Sequence, residues 1–60
     1  MKGSETFFKI YSNLPFDLRE EIVLVIHKEP ITWKIAYIEI SQKTKLGEEI
    51  LQKLQALQII

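Results

Sequence analysis

Cysteine is absent from the 60-residue chain. No disulfide staples it, and no thiolate is there to hold zinc or attack a substrate. Glycine and proline occur twice each, so turn signals are few. His27 is the only histidine and Asp17 the only aspartate. Neither sign of charge dominates: 8 Lys and Arg balance 8 Asp and Glu, for a net charge of zero. A chain built for nucleic acid or an anionic membrane usually carries a positive excess. No apolar run is long enough to span a bilayer, so no membrane partner is expected. The start, Met1-Lys2-Gly3-Ser4-Glu5, lacks a basic stretch followed by an apolar one. No signal peptide is therefore expected, and the expected compartment is the cytoplasm.

What remains is one small domain, residues 1–60. A domain of this size buries only about 60% of its unfolded surface, which excludes two lobes around a cleft. The apolar share, 47%, is that of a globular chain rather than a disordered one. Ile and Leu dominate it, while Lys and Glu carry nearly all the charge. An Ile, Lys and Glu bias is compatible with a thermophilic source, although an AT-rich genome produces it too.

Four helical segments are predicted, near 4–13, 15–28, 32–42 and 45–58. In the first, Phe7, Ile10, Tyr11 and Leu14 share one helix face, with Ser4 as N-cap and Asn13 as a left-handed stop. Pro15 suits the opening of the second, where Leu14, Leu18, Ile22, Val25 and Ile26 form the inward stripe. Glu29-Pro30 ends it. Thr32 caps the third, with Trp33, Ala36, Tyr37 and Ile40 inward and Ile35 and Ile38 opposite. Thr44 caps the fourth, with Leu46, Ile50, Leu51, Leu54 and Leu57 inward. Gly47 lies near that stripe, as a tolerated first-turn glycine or as the mark of another helix close by.

The fold expected from this pattern is all-α, a compact bundle of four short helices. The rival is α+β, with a central hairpin over 22–40 flanked by helices. Ile22-Val23-Leu24-Val25-Ile26 is β-branched and continuously apolar, as a buried strand would be. In that rival, strands near 22–27 and 31–40 turn at His27-Lys28-Glu29-Pro30. The helical reading is preferred because Pro-Phe-Asp-Leu-Arg-Glu-Glu leads into the run. Leu14-Pro15-x-x-Leu18-x-x-Glu21-Ile22 is a helix start too general to carry a family resemblance.

No catalytic constellation follows from these residues. On one helix His27 and Asp17 stand about 15 Å apart along the axis, too far for a base and its orienting carboxylate. No Gly-x-Ser-x-Gly elbow and no phosphate-cradling glycine loop occurs. His27 reads as a solvated residue at a helix end. No enzymatic activity, cofactor or metal is expected.

Self-association is the leading expectation. Apolar residues off the inward stripes include Phe8, Val23, Leu24, Ile35, Ile38, Ile59 and Ile60, and so small an interior has no room for them. The predicted interface comprises Val23, Leu24, Trp33, Ile35, Ile38, Ile59 and Ile60. A symmetric dimer lets one patch cover itself. The expected role is thus a small non-enzymatic, self-associating protein-interaction module, with a further protein as an additional partner. The alternative is a dimeric helix-turn-helix-like DNA-binding regulator turning at Gln42-Lys43-Thr44 and presenting Glu48, Gln52 and Gln55. Zero net charge disfavours that nucleic-acid reading.

Overall fold

The computed structural model describes residues 2–60. Helix α1 spans Ser4–Ser12, a 3-10 turn follows at Phe16–Glu20, and strands β1 and β2 span Ile22–Ile26 and Glu29–Thr32. Helices α2, Trp33–Ser41, and α3, Lys45–Ala56, complete the chain. The all-α four-helix bundle is therefore overturned. Three α-helices and a two-stranded antiparallel hairpin make an α+β arrangement.

The correction falls on residues 15–28. Pro15 is extended, at ψ 145°, and caps a 3-10 turn rather than opening a long helix. The helix-forming residues after it complete only five 3-10 residues. From Ile22 onward, β-branching and packing outweigh that local tendency, which is a weak prior. As a strand, the run puts Leu24 and Ile26 on one face beside Ile31 of β2, all three buried. Val23 is the extra residue of a bulge: Ile22 pairs with Thr32, and Leu24 already pairs with Ile31. Strict alternation would place Ile22 on the core side with Leu24. Beyond the bulge it turns outward, 59% exposed, while Val23 packs against the core.

The hairpin turns on two residues, His27 and Lys28, at φ 52° and 65°. Positive φ at both central positions is the twist that two-residue hairpins favour. The second strand of the α+β rival also needs correction. It stops at Thr32 instead of running to 40, because the Thr32 hydroxyl accepts a hydrogen bond from the Ile35 amide at 3.1 Å and opens α2.

At the other end, Gly3, at φ 90°, caps α1, and Ser4 is its first residue rather than its cap. Asn13 closes α1 from ordinary helical space, φ −94°, and its side-chain Nδ2 donates to the Lys9 carbonyl at 3.0 Å. Thr44 caps α3, accepting from the Gly47 amide at 3.0 Å.

The core comprises Phe7 of α1, the three strand residues, Ala36 and Ile40 of α2, and Ile50, Leu51 and Leu54 of α3. Its tightest point is Gly47, buried against the α2 backbone. A Cβ there would stand 2.6 Å from the Glu39 carbonyl carbon and 2.9 Å from the Ile40 nitrogen. Close helix approach, not mere tolerance, explains this glycine.

Two stability outcomes follow, both read by thermal or urea unfolding. Gly47→Ala should destabilise by about 1–3 kcal/mol, since overpacking against backbone outweighs the roughly 1 kcal/mol gained in helix propensity. An unchanged midpoint would show that α2 and α3 separate freely. Lys28→Gly should stabilise by about 0.5–1 kcal/mol, because glycine meets no Cβ penalty at positive φ but loses more chain entropy. A lower midpoint would contradict the left-handed turn.

Candidate interaction surface

The titratable side chains do not converge. His27 lies on the hairpin turn, not at a helix end, and is 76% exposed. Its Nε2 is 2.9 Å from Glu49 Oε2, a contact that ties the turn to α3. Asp17 is exposed on the 3-10 turn. Among the described residues, no group of three or more His, Cys, Asp or Glu is placed to hold a metal ion.

Aromatic residues do converge. Tyr11 of α1 and Tyr37 of α2 stack with ring centroids 4.4 Å apart and planes 12° from parallel. Phe8 meets Tyr37 edge-on at 5.7 Å, and Phe7 stacks on Trp33 at 6.0 Å. Arg19, the only arginine, closes this cluster from the 3-10 turn. Its guanidinium lies 4.4 Å from the Tyr11 ring centre and 4.5 Å from that of Phe16. Nη2 donates to the Tyr11 carbonyl at 3.0 Å. A planar guanidinium suits this slot because it stacks on rings and donates in its own plane. Beside it, a shallow groove of about 400 Å³ is lined by Phe8, Tyr11, Ser12, Arg19, Tyr37 and Ser41. The helical assignment of residues 15–28 puts Arg19 on a polar face with Asp17, Glu20, Glu21 and Lys28. Its signal was its rarity, one Arg among seven Lys, in a chain with six aromatic residues.

The predicted interface residues separate into three groups. Leu24 is 7% exposed and belongs to the core. Val23, Trp33 and Ile60 are partly buried against that core, as is Phe8. Ile35, Ile38 and Ile59 remain exposed. Ile35 and Ile38 are three residues apart, so they share a face of α2.

Other exposed apolar residues were not anticipated. Phe16, Leu18, Ile22, Val25, Tyr37 and Leu57 all face solvent. For Ile22 and Val25 the reason is direct. The helical assignment put them on the inner stripe and left Val23 and Leu24 outside. Strand geometry reverses most of that: Leu24 goes in and Ile22 and Val25 come out.

Of the residues assigned to a recognition helix, Glu48, Gln52 and Gln55 are exposed on α3. Gln55 is engaged within the chain, its Nε2 donating to the Lys2 carbonyl at 3.1 Å. No described helix is long and apolar enough to cross a membrane.

Arg19→Ala should destabilise the fold by about 1–3 kcal/mol, the range of a charged hydrogen bond plus ring contacts. Arg19→Lys should recover little, since a point charge cannot lie flat between two rings. Full recovery by lysine in denaturant unfolding would show that charge alone matters there. Comparison of the chain with protein-family models, with curated proteins and with solved structures gave no match.

Proposed function

We propose that this protein is a small non-enzymatic interaction module of the cytoplasm that associates with itself, as a homodimer. One observation carries the reading. Nine residues form the buried apolar core, and nine large apolar side chains are exposed among the described residues. Scattered exposed apolar residues are ordinary. Here they equal the core in number, which a domain so small can ill sustain in water. Fully burying each Val, Leu, Ile or Phe is worth about 1.5–3 kcal/mol relative to exposure. A two-fold contact covers such surface with a second copy of itself. Zero net charge fits a protein partner better than nucleic acid.

The expected behaviour is reversible dimerisation, with a thermal midpoint that rises with protein concentration. Sedimentation equilibrium of the wild-type protein tests it. A single monomeric species at high micromolar concentration would refute self-association.

A further inference from the structure

The chain holds two tyrosines, Tyr11 on α1 and Tyr37 on α2, and the fold stacks one on the other. They sit in an aromatic seam between the two helices, where Phe7 also stacks on Trp33 and Phe8 meets Tyr37 edge-on. With centroids 4.4 Å apart and planes 12° from parallel, the carbons of one ring face those of the other at van der Waals contact. Arg19 holds Tyr11 in place, packing 4.4 Å from the ring centre and donating to its carbonyl.

The pair is also within reach of a reagent. Tyr37 is 40% exposed, and the shallow groove of about 400 Å³ opens beside both rings. Among the described residues, no hydrogen bond holds either phenol oxygen, so each phenolic proton is free to leave to water. Two phenols held face to face are suited to oxidative coupling. Cysteine, the usual residue for a covalent staple, is absent from the chain.

We propose that Tyr11 and Tyr37 form an oxidative cross-linking site, at which a haem peroxidase with hydrogen peroxide joins them as dityrosine and staples α1 to α2. The peroxidase takes one electron from each ring, and each phenolic proton leaves to water. The two tyrosyl radicals carry unpaired spin on the ring carbons beside the oxygen. One such carbon of each ring forms the new carbon–carbon bond. The hydrogen on that carbon then moves to the phenol oxygen, which restores both aromatic rings. The pair loses two hydrogen atoms overall, and one peroxide becomes two waters. The groove gives the rings room to tilt as the bond shortens. A pair in contact exceeds the roughly millimolar effective concentration of a flexible tether, so coupling within the chain outruns coupling between chains. This inference goes beyond the self-association reading and does not depend on it.

The test treats the wild-type protein at low micromolar concentration with a haem peroxidase and hydrogen peroxide. The product should be a single chain lighter by two hydrogen atoms, with dityrosine fluorescence. Tryptic digestion should release residues Ile10–Arg19 joined to Ile35–Lys43. This product should exceed covalent dimer by at least about 10-fold. In urea that unfolds the chain but leaves the peroxidase active, that ratio should fall at least about 10-fold, since only a flexible tether then links the rings. The cross-linked chain should unfold at a higher temperature, because the new loop restricts its unfolded state. Tyr37→Phe keeps a ring at the stack and should give no product within the chain. Covalent dimer as the main product overturns the proposal and leaves self-association standing. Oxygen added at Trp33 or Met1 without dityrosine also overturns it, as does a ratio unchanged by urea or a cross-linked chain that melts lower. The wild-type peptide map decides whether or not Tyr37→Phe folds.

Discussion

The corner between α2 and α3 is the constraint on which the other elements depend. Three features converge on Glu39. Its carbonyl accepts the Thr44 amide at 3.1 Å, as the closing bond of α2, while Lys43 takes the left-handed position at φ 57°. The Thr44 side chain turns back onto the Glu39 carboxylate, at 2.5 Å, while its oxygen caps α3. Gly47, one turn into α3, lies against the same carbonyl. One residue thus ends a helix and starts the next, and the absence of one side chain sets their spacing. Ile40, Ile50 and Leu54 then meet with essentially no exposure. The hairpin, which packs its apolar face on this pair, has no comparable internal support. A two-stranded hairpin is marginal in water unless something covers one face.

This dependence explains what the sequence disclosed and what it hid. The two threonine caps, the approximate extent of α1 and the inward Ala36, Ile40, Ile50, Leu51 and Leu54 were legible, because capping and 3.6-residue periodicity are local properties, while Tyr37 and Leu57, placed inward by the same periodicity, are exposed. The Gly47 contact was visible only as one of two options, since approach of a second backbone is a tertiary fact. The hairpin was visible only as the lesser option. Its turn carries neither glycine nor asparagine, the residues that announce positive φ at both positions. His27 and Lys28 adopt it because Leu24, Ile26 and Ile31 must face the same way. The bulge at Val23 left no mark at all. A one-residue offset exchanges inner for outer side chains, so an error of class became an error of surface.

The candidate surfaces show the same division. A surplus of apolar residues was countable from composition, and its members Ile35, Ile38 and Ile59 do face solvent. Which other residues join them depends on strand against helix, and there the sequence misassigned Leu24 to the outside and Val25 to the inside. Arg19 was illegible for a different reason. Its partners are the Tyr11 ring and carbonyl, eight residues back on another element, and the neighbouring Phe16 ring. No periodicity links those positions. Only the 3-10 turn, short enough to double back on α1, brings them together.

Stability and openness are distributed unequally across the molecule. The helical corner is sealed by caps, by a glycine contact and by the largest share of buried side chains. The hairpin is held by three buried residues on one face and, at its tip, by an exposed contact between His27 and Glu49. Its turn holds two L-residues in left-handed conformations, each disfavoured by roughly 1–2 kcal/mol relative to ordinary helical space. The element with least support of its own therefore also carries the exposed side chains of Ile22 and Val25. Sheets gain independent stability with a third strand, because each addition satisfies backbone groups and covers side chains together. Any contact along β1 thus acts on the part of the fold where added stability has most effect, whereas a contact on the helical corner would reinforce what is already closed.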